Sequence, residues 1–240
     1  MGKPGRVLAI GDVHGCAFAL EALLQAVRPT REEPLVFLGD YVDRGLDSAG
    51  VLNRIVRLSE THRVVSLRGN HEQMMMDARG GDRELALWLA CGGEATLMSY
   101  CPFDDHGTIA DVPEEHWEFL ERRCVDWYET ETHFFVHGGA VPDRPLDRQP
   151  TLVLRWQTFV DVKPHRSGKV MVCGHTPQRE GVPKSLGYAV CVDTWAYAED
   201  GWLTCLDVAG GEYWQANERG ETRGGRLPPM TNAQAPMSNQ

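Results

Sequence analysis

Long apolar runs are missing. Nothing in the 240 residues approaches the ~20 consecutive apolar side chains that span a bilayer. Lys3 and Arg6 precede only a short apolar run, Val7 to Ile10, which ends at Gly11-Asp12 and does not read as a signal peptide. Positive charge is also scarce, with 24 Lys and Arg against 34 Asp and Glu, a formal net charge of −10. Broad affinity for a nucleic-acid backbone comes largely from Lys and Arg displacing counterions, so nucleic-acid and membrane partners are not expected. A small phosphorylated substrate meeting a locally positive site remains compatible with that charge. Paired cysteine spacing is absent as well. Seven cysteines form an odd set with no CxxC, in a chain long enough to fold without disulfide staples, and the expectation is a reduced, cytoplasmic protein.

What the chain has is one device used repeatedly: a short apolar run that stops at a glycine beside a side chain able to bind metal. Val7 to Ile10 runs into Gly11-Asp12-Val13-His14-Gly15, and Leu35 to Leu38 into Gly39-Asp40-Tyr41-Val42-Asp43-Arg44-Gly45. Val64 to Leu67 runs into Arg68-Gly69-Asn70-His71-Glu72. Phe134 to Val136 leads to His137-Gly138-Gly139, and Val170 to Cys173 to Gly174-His175-Thr176. Loops at the carboxyl ends of parallel strands carry the sites of open α/β sheets, and glycine lets backbone pass close to an ion or phosphate.

Apolar spacing predicts helices over 15–27 and near 47–59, which together with strands at 7–10, 35–38 and 63–67 gives the βαβ pattern of a mostly parallel sheet in an α/β fold. Residues 72–124 read as a mostly helical insertion, broken at Gly92-Gly93, that shapes substrate access. A hairpin over 126–136 and further strands near 169–173, 188–192, 202–206 and 212–215 follow. Residues 1–216 are taken as one catalytic domain, and 217–240, polar and rich in Gly, Pro, Asn and Gln, as a disordered tail.

The five motifs, in this order and spacing, resemble the calcineurin-like metallophosphoesterase superfamily and, within it, the bacterial PPP-type serine/threonine phosphoprotein phosphatases. The resemblance covers roughly residues 6–215 and implies a β-sandwich flanked by helices. It implies that Asp12, His14 and Asp40 hold one divalent metal and that Asp40, Asn70, His137 and His175 hold a second, with Asp40 bridging. Oxygen and imidazole donors without thiolate suit Mn²⁺ first, with Fe or Zn²⁺ as alternatives. The implied chemistry is direct attack on a phosphoserine or phosphothreonine of a protein or peptide by a hydroxide shared between the metals. His71 would protonate the leaving alkoxide and Asp43 would orient it, while Arg44 and Arg68 would grip the phosphate. Arg155, within Leu154-Arg155-Trp156, is a further phosphate-binding candidate.

Each residue also has a plainer reading. Asp12 and Asp40 could be turn formers, His137 and His175 core histidines, and Arg44 and Arg68 solvated charges. The shared glycine contexts favour the site. Glu72 reads as a helix N-terminal acid, the tryptophans at 88, 117, 127, 156 and 202 as core, and His62, His106, His116, His133 and His165 as structural or surface groups. One departure from the family stands out: many relatives carry Asp-Thr-Gly after the late strand, where this chain has Asp193-Thr194-Trp195. Two other functions compete with the phosphatase. A diadenosine polyphosphate hydrolase shares the superfamily but usually departs from Val-Asp-Arg-Gly and Asn-His-Glu, both intact here, and a non-catalytic phosphate-binding protein should have lost ligands or the acid.

Overall fold

A computed structural model describes residues 6–101 and 107–230, so His106 and the last ten residues of the expected tail lie outside it. The elements run β1 (Leu8–Ile10), α1 (Ala17–Val27), β2 (Leu35–Phe37), α2 (Ser48–Ser59), β3 (Val64–Ser66), α3 (Asn70–Asp77), α4 (Asp82–Trp88), α5 (Glu94–Tyr100) and α6 (Glu114–Glu118). Then come β4 (Trp127–Glu129), β5 (His133–Val136), α7 (Thr151–Trp156), β6 (Val170–Cys173), β7 (Lys184–Ser185), β8 (Ala189–Cys191), β9 (Leu203–Asp207), β10 (Glu212–Ala216) and β11 (Thr222–Arg226).

These form a sandwich of two sheets, ordered β11-β10-β9-β1-β2-β3 and β4-β5-β6-β8-β7. In the first, β1, β2 and β3 are parallel; in the second, β5, β6 and β8 are. The strands are apolar at successive positions because both of their faces are covered. Ala9, Val36, Phe135, Val172 and Val190 point between the sheets. Their neighbours Leu8, Ile10, Leu35 and Phe37 face α1 and α2, whereas Phe134, Val136, Met171 and Cys173 face a separate core on the outer side of the second sheet. Among the described residues no helix is long and apolar enough to cross a membrane.

The insertion is helical as expected. It packs into the same core as α1 and α2 through Trp88, Leu97, Trp117 and Phe119. The break at Gly92-Gly93 is a π-turn over Leu89–Gly93 in which Gly92 has φ 112°.

The expected disordered tail is corrected over its first half. Residues 222–226 are β11, paired antiparallel with β10. Gly and Arg give this strand no apolar alternation to read, and its order comes from tertiary contacts. The Asn217 side-chain oxygen accepts the amides of Arg219 and Glu221 to form the turn, and Glu218 accepts the Ala19 amide in the first turn of α1 at 2.9 Å. Arg223 lies 4.0 Å from the centroid of the Trp202 ring. The folded unit therefore runs past 216 into β11.

Candidate metal centre

The parallel strands of both sheets deliver their carboxyl ends to one place. Asp12 and His14 follow β1, Asp40, Asp43 and Arg44 follow β2, and Asn70 and His71 open α3 after β3. His137 and His175 follow β5 and β6 of the second sheet. The loops are tightly folded: His14, Asp40, Asp43, Arg44 and His175 all have positive φ, between 45° and 75°. Non-glycine residues adopt that conformation rarely, and it persists where surrounding contacts over-determine it.

Two compact groups of possible ligands share Asp40: His14, Asp40 and His71, and Asp40, His137 and His175, with the ligand atoms of each group within 4.8 Å of one another. Oδ2 of Asp40 is 3.5 Å from Nε2 of His14, and Oδ1 is 3.3 Å from Nε2 of His137. The Asn70 side-chain oxygen lies 3.0 Å from the same His137 nitrogen. The tautomers follow from the other ring nitrogens. Nδ1 of His14 donates to the Val42 carbonyl at 2.9 Å and Nδ1 of His137 to the Leu38 carbonyl at 2.8 Å, which turns each Nε2 towards Asp40.

Electrostatics favour cations here. Burial, with Asp193 and Asp40 nearby, pushes Asp12 well above the usual carboxylate range. Burial and other causes push Asp193 up to about 6. Asp40 alone is held well below that range: its burial is outweighed first by His137 and then by His71. Burial lowers His14 to about 3 and His175 to about 4, so both rings are neutral and able to ligate at neutral pH. Crowded buried carboxylates beside neutral imidazoles are a donor set that fits two divalent cations.

Asp12 differs from expectation in its contacts. It stands outside both compact groups, with its two oxygens 2.9 and 3.2 Å from the His175 amide, which donates to them. A side chain at Gly174 would strike Asp12, so the glycine is what allows this approach. His71 falls in the first group by proximity, but its Nδ1 is taken by Asp43 and its Nε2 lies 4.0 Å from Oδ2 of Asp40.

Glu72 does more than sit at a helix start. Its buried carboxylate accepts the amides of Gly69 and Asp40, both at 2.8 Å, and of Tyr41 at 2.6 Å. It ties the β2 and β3 loops together behind Asp40. Burial, then Asp40, pushes its pKa up to about 7.

His71 and Asp43 form a buried pair with Nδ1 and Oδ2 2.6 Å apart. Asp43 is enclosed by the insertion: Trp88 Nε1 donates to both its oxygens at 2.9 and 3.0 Å, and the Thr96 hydroxyl donates at 2.7 Å. The insertion thus fixes the pair, a role that goes beyond the core packing expected of Trp88. Burial works against a charge on His71, but Asp40 and then Asp43 outweigh it, and its pKa is raised.

A family model described as calcineurin-like phosphoesterase matches residues 5–203. The chain belongs to the calcineurin-like phosphoesterase family. It is 40% identical over 162 residues to Serine/threonine-protein phosphatase 1 of Salmonella typhimurium, a match covering 65% of each chain. It is 42% identical over 134 residues to a symmetrical bis(5'-nucleosyl)-tetraphosphatase of Ralstonia nicotianae, covering 56% of this chain and 42% of that protein. Each match spans less than two thirds of the relative's length. The crystal structure of a cold-active protein-tyrosine phosphatase of a psychrophilic Shewanella shares the fold, with TM-score 0.60, 18% identity, and coverage of 92% of this chain and 80% of that one.

The three candidate arginines part company. Arg44 reaches the centre, with Nη2 3.1 Å from Nε2 of His71 and Nη1 3.5 Å from Nε2 of His14. Arg68 does not: its Nη2 donates to the carbonyls of Leu120, Glu121 and Cys124 at the end of the insertion. Arg155 is buried, its guanidinium taken up by Asp126 and by the side chain of Gln73. In this arrangement Nη2 of Arg68 and the Arg155 guanidinium are bonded to protein acceptors, and of the three arginines only Arg44 contacts the histidines of the centre. Asp193 lies near the centre, and its Oδ1 accepts the Trp195 amide at 2.9 Å. Trp195 takes φ 63°, a conformation that glycine adopts most readily.

Proposed function

We propose that the chain is a metal-dependent phosphoprotein phosphatase that hydrolyses phosphoserine and phosphothreonine monoesters, with Mn²⁺ as the metal to try first. The observation that carries the reading is the contact between Arg44 and His71. Their Nη2 and Nε2 atoms face each other at 3.1 Å, a contact that suits a neutral ring. When His71 is protonated both atoms are donors, and an ester oxygen of a bound phosphate that lies within reach of both satisfies them.

In this reading Asp12, His14, Asp40, Asn70, His137 and His175 hold two divalent ions, which when bound supply Lewis acidity and a more acidic attacking water. Arg44 binds a phosphoryl oxygen. His71 holds a proton at Nε2 for the departing alkoxide, a poor leaving group without it. Asp43 keeps Nδ1 protonated and the ring aimed. A cytoplasmic location accords with the buried free thiols Cys16, Cys124, Cys173, Cys191 and Cys205.

The similarity to the Ralstonia tetraphosphatase supports a second reading, hydrolysis of a dinucleoside polyphosphate. Metal-stripped protein re-supplied with Mn²⁺ and offered a phosphoserine or phosphothreonine peptide and diadenosine tetraphosphate in parallel separates the two. Phosphate release from the peptide is the expected result. Nucleotide products from the second substrate alone would move the chain to the second reading, and no turnover of either would leave a phosphate-binding protein.

A further inference from the structure

Arg44 is exposed and carries a long side chain, yet it is held from two sides. On one side its amide donates to the Gly92 carbonyl at 3.2 Å, and the bare Cα of Gly92 leaves room for the Arg44 stem. On the other stands Tyr197, from the loop after β8. The Tyr197 phenolic oxygen accepts from Nη1 of Arg44 at 2.6 Å, and the guanidinium carbon lies 4.7 Å from the centroid of the same ring. That ring also meets His14 edge to face, with centroids 5.0 Å apart.

Tyr197 is itself braced. Trp195 packs against it at 6.1 Å with the rings perpendicular, and Arg179 lies 4.9 Å from the centroid of the Trp195 ring. A bulky residue in the left-handed region costs free energy unless its surroundings compel it. Here the Trp195 amide is bound by Asp193 and its carbonyl by the Ala198 amide at 2.9 Å. The brace thus grows from Trp195, held in the left-handed region by these contacts.

We infer that Tyr197 is a positioning residue, which holds the Arg44 guanidinium over the ligand groups so that a phosphoryl oxygen finds its donors already in place. The inference rests on the phosphoesterase reading. A flexible arginine must be ordered when substrate binds, and a hydrogen bond plus a ring face under the cation removes much of that cost. The benefit falls on phosphate binding, with the proton step at His71 left alone.

The test is a double-mutant cycle of Tyr197→Phe and Arg44→Ala. It reads calorimetric affinity of the Mn²⁺-loaded protein for inorganic phosphate, together with kcat and KM for p-nitrophenyl phosphate. Phe keeps the ring packed on His14 and Trp195, so the variant retains its metal content and melting temperature. Tyr197→Phe should weaken phosphate about tenfold and raise KM more than it lowers kcat, the scale of one hydrogen bond to a charged group. In the Arg44→Ala background the same change should have no further effect. Equal losses in both backgrounds, or no loss in the wild-type background, would overturn the role of Tyr197 and leave the phosphoesterase reading intact. A wild-type protein that neither binds phosphate nor hydrolyses the ester would overturn both.

Discussion

Nδ1 of His71 lies 2.6 Å from Oδ2 of Asp43, and both side chains are buried. The pairing leaves Nε2 as the ring nitrogen that faces Arg44 and the centre. If His71 is the proton donor, His71→Asn should lower kcat on an alkyl phosphate by ~10²–10⁴-fold and on an aryl phosphate by much less, since phenolates leave readily. Steady-state kinetics on the two esters checks this, and equal losses would remove His71 from the role.

Asp43 also sets a pH dependence. The donor form of His71 is the protonated one, and Asp43 favours that form, so kcat should fall as pH rises through the pKa of the ring in the metal-loaded protein. Asp43→Asn removes one of the carboxylates that raise that pKa. The alkaline limb of the pH–rate profile should move to lower pH, and the variant should lose more activity on the alkaline side than on the acid side.

Asp40 belongs to both ligand groups, so Asp40→Asn should impair both metals together. Metal content by mass spectrometry after gel filtration should drop for both sites. Affinity should fall by more than about 100-fold, the upper end of what losing an outer-shell partner costs. His175→Asn, by contrast, should weaken one site.

Glu72 predicts a stability effect. Gln at this position keeps the shape but has only one acceptor atom, and at least one of the amides of Gly69, Asp40 and Tyr41 is left without a partner. A buried unsatisfied donor costs about 1–3 kcal/mol. At ~2–4 °C per kcal/mol for a chain of this length, Glu72→Gln should melt roughly 3–10 °C lower by calorimetry.

The strands and their terminal loops were legible because apolar residues fill both faces of β1, β2, β5 and β6 and then stop at glycine. Asp40, His137 and His175 could be placed on that signal. Trp88 and Thr96 could not be seen as supports of Asp43, for they lie in a different part of the chain and belong to ordinary helical spacing. Arg44 and Arg68 look alike in sequence, each beside a glycine after a strand. Only the packing of Arg68 against Leu120 and Cys124 turns it away from the centre. β11 escaped notice because its order depends on Glu218 reaching α1 and Arg223 reaching Trp202.

The division of the ligands between two sheets has a consequence for biogenesis. His14, Asp40 and His71 lie close together in the sequence, on loops joined by α1 and α2. His137 and His175 emerge from the ribosome much later, and they reach Asp40 only after the second sheet has formed and docked. The first sheet also waits for late residues, since β1 pairs with β9, and domains fold as units while distant contacts form slowly. A centre that draws on loops of both sheets is complete only once both have formed, which makes its completion a late step in maturation.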